Sequence, residues 1–180
     1  MKKLLLILAA TASAVSVQAA SVSWTCTNVK DATGTAISGI AYFVNADTLS
    51  QTTAKGYTSA SAWSTALKDT YSWTPTTAGK YSNSDGVENS TLGLTDGTAS
   101  KAYLVIFDTA SITDKSHYYM TEVKSFNALS GTETASLKWG TQSTASQASG
   151  AWSSVNVPEP TSAMLLLFGF AGLALKRKNS

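Results

Sequence analysis

The chain has 180 residues, 43% hydrophobic and 13% charged, a composition that fits one modest globular domain with targeting segments. Thirteen basic residues accompany eleven acidic ones, but five of the basic residues lie within the first three or the last five positions. Between residues 20 and 157, eight lysines stand against ten acidic residues, which excludes the basic surface that nucleic-acid binding requires.

The first nineteen residues, MKKLLLILAATASAVSVQA, predict a secretory signal peptide. Two lysines precede an apolar run, and Val17 and Ala19 are the small residues expected before a signal-peptidase cleavage site. We therefore expect signal peptidase to cut between Ala19 and Ala20. A buried amino-terminal helix explains this segment less well, because the apolar run contains no polar residue at helical spacing.

The segment SVSWTCTNV alternates between polar and apolar residues and predicts a strand. Val22, Trp24 and Cys26 should share its buried face. Cys26 is the only cysteine, so no disulfide within the chain is available to an exported domain. We expect its thiol to serve as a small apolar group in the core.

Residues 20–139 predict an all-β, sandwich-like domain with one or two short helices. Short β-rich runs are separated by turn signals rich in Gly and Asp. The run from Ala102 to Phe107 is apolar without alternation, which predicts a central strand covered on both faces. The helices are expected within residues 47–68, where Asp47 could cap a first turn and Trp63 stands one turn from Leu67.

Catalytic patterns are absent from the sequence of the domain, so we expect no enzyme activity, no cofactor and no metal. His117 is the only histidine, and no GxSxG motif or second ligand at metal spacing accompanies it. Asp47 and Asp108 are each expected to accept backbone N–H bonds in the turn after a strand. Asp114 lies in a polar segment typical of a solvated loop.

The aromatic residues leave a binding function open. Tryptophans and tyrosines can stack on the apolar faces of sugars, and Trp63 and Trp73 are the candidate contacts. The alternative is that most of these side chains fill the core of a small domain. The sequence therefore allows either a structural role or a carbohydrate-binding module that recognises exopolysaccharide.

After a polar stretch at residues 140–157, predicted as a linker with a short terminal strand, the chain changes character. Prolines keep the next segment extended, and the apolar residues 161–175 predict a short membrane helix. A basic cluster follows that would remain on the cytoplasmic side. The extended segment contains Pro158, Glu159 and Pro160, and the basic cluster is Lys176, Arg177 and Lys178.

This order of elements over residues 158–180 resembles the PEP-CTERM sorting signal of Gram-negative bacteria. The resemblance implies recognition of the Pro-Glu-Pro motif by an exosortase, a membrane cysteine transpeptidase or protease. It further implies transient anchoring in the inner membrane, then release or transfer of the domain to the cell surface. The domain itself is similar to small Ser/Thr/Ala-rich domains that precede such tails, through AYLVIFDTASI and KWGTQ, which implies an all-β fold.

Overall fold

The computed structural model describes residues 19–156, which form two packed β-sheets with two short helices on the outer face of the larger sheet. The sandwich-like all-β prediction is confirmed. The strands are β1 (Ser21–Thr27), β2 (Ala41–Asn45), β3 (Ser72–Trp73), β4 (Asn83–Glu88), β5 (Ala99–Phe107), β6 (His117–Met120), β7 (Lys124–Asn127), β8 (Thr134–Thr141) and β9 (Trp152–Ser154). The helices are α1 (Gln51–Ala54), α2 (Ala60–Leu67) and α3 (Ser143–Ser146).

The smaller sheet has the strand order β4-β1-β8, and the larger has the order β3-β2-β5-β6-β9. β5 pairs with two strands along the same edge: its first half, residues 99–102, pairs with β7, and its second half, residues 105–107, pairs with β6. Strands β1 and β8 run parallel, although most neighbouring strands are antiparallel. This places the first strand of the domain against one that lies more than a hundred residues later in the chain.

The core between the sheets is built by alternation. Val22, Trp24 and Cys26 all point inward from β1, as the sequence predicts, and all three are buried. Phe43 packs against the Trp24 ring with centroids 5.1 Å apart. Burial of these large side chains removes apolar surface from water, which is the main stabilising contribution to such a fold.

A second core lies on the outer face of the larger sheet, under helices α1 and α2. Trp63 and Leu67 are buried from the same face of α2. Trp63 packs on Phe107 with centroids 5.4 Å apart. β5 is therefore covered on both faces, and Ala102 to Phe107 are all 0% exposed, as predicted.

The predicted helices over residues 47–68 are present, but their caps differ from the prediction. Ser50 caps α1 by accepting from the Thr53 N–H, and Ser59 caps α2 by accepting from the Ala62 N–H. Asp47 is no helix cap, because α1 begins only after Ser50. Nor does its side chain accept a backbone N–H bond from any residue in 19–156, which corrects that prediction; the Asp47 N–H instead donates to the Asn45 side chain in the turn after β2. Serine in this position satisfies a backbone donor that the first helical turn leaves unpaired.

The stretch predicted as a linker over 140–157 packs on the domain as far as Val155. β8 continues to Thr141, and the predicted short terminal strand is present as β9, paired with β6 at the edge of the larger sheet. Val155 is fully buried, and its N–H donates to the Ser116 carbonyl at 2.9 Å. The sequence of this segment resembles a linker because most of its residues are short and polar, and only a few apolar side chains pack on the domain.

Trp24 and Trp63 allow a matched test of packing against hydrogen bonding. Both are buried, but Trp24 Nε1 donates to the Tyr81 carbonyl at 2.9 Å, whereas Trp63 Nε1 has no acceptor among residues 19–156. Trp24→Phe removes a donor from a buried carbonyl, so it should lower the free energy of unfolding by about 1–3 kcal/mol more than Trp63→Phe. Urea denaturation followed by circular dichroism measures this difference. Equal losses would contradict a contribution from the Trp24 hydrogen bond.

The Cys26 thiol should be unreactive in the folded protein. Burial raises its pKa to about 12, because the thiolate cannot be solvated inside the core. We expect a disulfide reagent such as DTNB to label Cys26 only when the domain unfolds, and the same reaction in denaturant gives the full signal. Stoichiometric labelling of native protein within seconds would show that the thiol is accessible.

Candidate functional site

The two tryptophans predicted as sugar contacts lie in different environments. Trp63 is 0% exposed, since α2 presses it against the sheet, and a side chain without exposed surface cannot stack on a ligand. The prediction for Trp63 is therefore corrected. Trp73 is partly exposed and stacks on Tyr71 with an interplanar angle of 29°. It lines one end of an open pocket, the Trp73 pocket, together with Pro75, Lys80 and Asp85.

A second pocket, of about 300 Å³, is lined by two carboxylates, an imidazole and an indole. We call it the Trp152 pocket. It lies where β6 and β9 meet the loop that follows β1. Its lining residues are Asp31, Ala32, Thr33, Asp108, His117 and Trp152.

Trp152 is held firmly in this pocket. Its indole Nε1 donates to the Ser146 carbonyl at 2.8 Å and to the Lys30 carbonyl at 3.1 Å. The ring also packs on Tyr119, with centroids 5.7 Å apart and planes 36° apart. Because the one polar atom of the indole is already bonded, the surface that Trp152 contributes to the pocket is carbon.

Asp108 and His117 form a hydrogen-bonded pair at the end of the β5–β6 hairpin where its connecting loop begins. His117 Nδ1 lies 2.9 Å from Asp108 Oδ2, and the His117 backbone N–H donates to Asp108 Oδ1 at 2.8 Å. The predicted role of Asp108 as an acceptor of backbone N–H bonds after its strand is thereby confirmed. Because a carboxylate accepts only, the pair keeps the imidazole proton on Nδ1 and fixes the ring orientation.

Asp31 faces the same pocket from a tight turn. Its Oδ1 accepts from the Thr33 hydroxyl at 2.7 Å and from the backbone N–H groups of Thr33 and Thr35, both at 2.9 Å. These bonds, the Thr33 hydroxyl first and then the Thr35 N–H, lower the pKa of Asp31 below its usual value. The carboxylate is therefore ionised at neutral pH, and Oδ2 has no hydrogen-bond partner among residues 19–156.

Sequence reasoning identified Asp108 and His117 separately and missed the pocket they form with Trp152 and Asp31. One signal was available. If one strand ends at Phe107 and the next begins at His117, the two form a hairpin that places residues 108 and 117 opposite each other. The contribution of Trp152 and Asp31 had no such signal, because it depends on pairing between distant segments. Within residues 19–156, no group of three or more His, Cys, Asp or Glu side chains is placed to hold a metal ion.

The predicted targeting residues fall at or beyond the limits of the described structure. Ala20 is 2% exposed, and its carbonyl accepts from the Asn89 N–H at 3.0 Å, so a cut between Ala19 and Ala20 would leave β1 intact. The other predicted signal-peptide residues and the predicted tail elements lie outside residues 19–156. Those tail elements are Pro158, Glu159, Pro160, the helix at 161–175, and Lys176, Arg177 and Lys178. Among the described residues, no helix is long and apolar enough to cross a bilayer.

Comparison with known proteins yields a match in the tail of the chain. No curated protein and no solved structure matches the chain. Residues 156–178 match the family model described as the PEP-CTERM protein-sorting motif, in agreement with the resemblance found at residues 158–180. The chain therefore carries a PEP-CTERM sorting motif, the signal of an exported protein that an exosortase sorts through the membrane to the cell surface.

Proposed function

We propose that this protein is a non-enzymatic structural component of the cell surface or extracellular matrix. The observation that carries the proposal is the junction between domain and sorting motif. Val155 is fully buried, and Pro158 follows only three residues later. Three extended residues reach about 10 Å, so the sorting signal is attached almost directly to a folded β-sandwich.

In this proposal the cell handles the chain in three steps. Signal peptidase removes residues 1–19 on export, and the helix at 161–175 then holds the protein in the inner membrane with its basic cluster on the cytoplasmic side. Exosortase acts at the motif Pro158 to Pro160 and passes the sandwich to the surface. The membrane anchor is transient, and nucleic acid has no part in this route.

The geometry around His117 supports the absence of catalysis. Asp108 orients the imidazole as the third member of a catalytic triad would. A nucleophile is missing from the arrangement: among residues 19–156, no Ser, Thr or Cys side chain hydrogen-bonds to the other ring nitrogen. The only cysteine lies in the core.

Carbohydrate binding is a second candidate function, and exopolysaccharide would be its natural partner at the cell surface. The observation in its favour is that Trp73 and Trp152 are each partly exposed and each line a pocket. An aromatic ring at the wall of an open pocket offers an apolar platform to a sugar ring.

Replacing Glu159 should block processing. Glu159→Ala removes the acidic residue of the sorting motif, so we expect the variant to keep its tail and stay in the membrane fraction. The wild-type protein should lose residues 1–19 and the residues beyond the motif. Intact-mass spectrometry of protein from membranes and from culture medium measures both, and extra mass on the wild type reports an attached group.

Glu133→Ala is the matched control, because Glu133 is an exposed glutamate outside the motif. It should be processed like the wild type. If the wild type keeps its basic tail in the membrane, the segment is a permanent anchor and the sorting route is wrong.

A panel of glycoside, ester and peptide substrates should show no turnover above buffer with the purified protein. The reason is the missing nucleophile beside His117. His117→Ala serves as the control: turnover that disappears with this substitution would show that the domain is an enzyme.

A further inference from the structure

We propose that the Trp152 pocket is a binding site for a neutral sugar unit of a polysaccharide. In this site the Trp152 ring stacks on the sugar, and Asp31, Asp108 and His117 bind its hydroxyl groups. This inference rests on the second candidate function above and assigns it to one place. It is independent of the sorting route.

The shape and surface of the pocket fit a sugar ring. Its volume of about 300 Å³ lies at the lower end of the roughly 300–1,000 Å³ that is typical of ligand pockets. Trp152 is fixed by two hydrogen bonds and by Tyr119, so it needs no reorganisation to receive a ligand. A rigid carbon surface beside polar groups matches the amphipathic faces of a pyranose ring.

The polar groups of the pocket match hydroxyl ligands. Asp31 has one carboxylate oxygen committed to its own turn and the other without a partner among the described residues. His117 is committed through Nδ1 only, and its side chain is 51% exposed. A hydroxyl group both donates and accepts, so it can bond to a carboxylate oxygen and to either protonation state of the free imidazole nitrogen.

Other ligand classes fit less well. Asp31 and Asp108 place two carboxylates on the pocket wall, and like charge repels phosphates and other anions. A metal ion requires converging ligands, and residues 19–156 hold no suitable group of three. A purely apolar ligand would cover Asp31 Oδ2, the carboxylate oxygen without a partner among the described residues, and offer it no hydrogen bond.

The Trp73 pocket provides a matched comparison within the same chain. It also combines a partly exposed tryptophan with an aspartate, Asp85, but Lys80 stands in its wall and no histidine does. Substitutions of the same type in the two pockets therefore distinguish binding at a specific site from non-specific binding to exposed indole rings. The matched pairs are Trp152→Phe with Trp73→Phe, and Asp31→Asn with Asp85→Asn.

The test is isothermal titration calorimetry of the full chain, purified in detergent, with gluco-, manno- and galacto-hexaoses. We expect saturable binding of at least one hexaose. Trp152→Phe and Asp31→Asn should each weaken it by about 5- to 10-fold. Trp73→Phe and Asp85→Asn should leave it within about twofold of the wild type.

Asp31→Asn keeps an oxygen that can accept the bonds of the turn, so it guards against loss of binding through misfolding. Thermal melts verify that each variant is folded. If binding depends on Trp73 and not on Trp152 or Asp31, the site assignment is overturned while carbohydrate binding stands. If no hexaose binds, both the site and the second candidate function are overturned, and the sorting route is unaffected.

Discussion

Strand β5 has to be covered on both faces, because six consecutive residues from Ala102 to Phe107 carry apolar or aromatic side chains and are completely buried. One face receives the small sheet, with Trp24 packed against Phe43 beside β5. The other face receives α2 through Trp63. A two-layer sandwich alone would leave half of this strand in water, so the short helices are a requirement of the core.

The same strand determines where polar chemistry can appear. β5 ends at Phe107, and the next residue, Asp108, meets His117 at the start of β6. β9 then joins the outer edge of β6 and brings Trp152 beside them, while the loop after β1 supplies Asp31. The pocket is thus a meeting point of three chain segments at one end of the larger sheet, above a core that fixes their relative positions.

Local patterns in the sequence predicted a substantial part of this molecule. Alternation predicted the buried face of β1, an unbroken apolar run predicted the doubly covered β5, and the spacing of Trp63 and Leu67 predicted the helical segment. Each of these features depends on residues close together in the chain. Motif order likewise sufficed for the sorting signal at residues 156–178.

Features that depend on distant partners were not predictable. The parallel pairing of β1 with β8 is decided by how the whole core closes, and no residue in either strand encodes it alone. Burial of Trp63 and exposure of Trp73 follow from which elements cover them, although the two side chains are chemically identical. The short terminal strand was predicted, but its pairing with β6 and the burial of Val155 were not, because hydroxyl-rich residues such as Ser153 and Ser154 are equally common in linkers.

The burial of Val155 has a mechanical consequence. Any tension on the chain beyond Asn156 enters the domain at Val155. This residue follows β9 directly, and its backbone N–H donates to the Ser116 carbonyl. The next pair to feel the pull is Ser154 with His117, then Ser153 with Tyr118. β9 is an edge strand of only three residues, so in a tethered molecule under tension its pairing with β6 would break first. Trp152 of β9 and His117 of β6 both line the Trp152 pocket. A pull on the point of attachment would therefore also change the pocket.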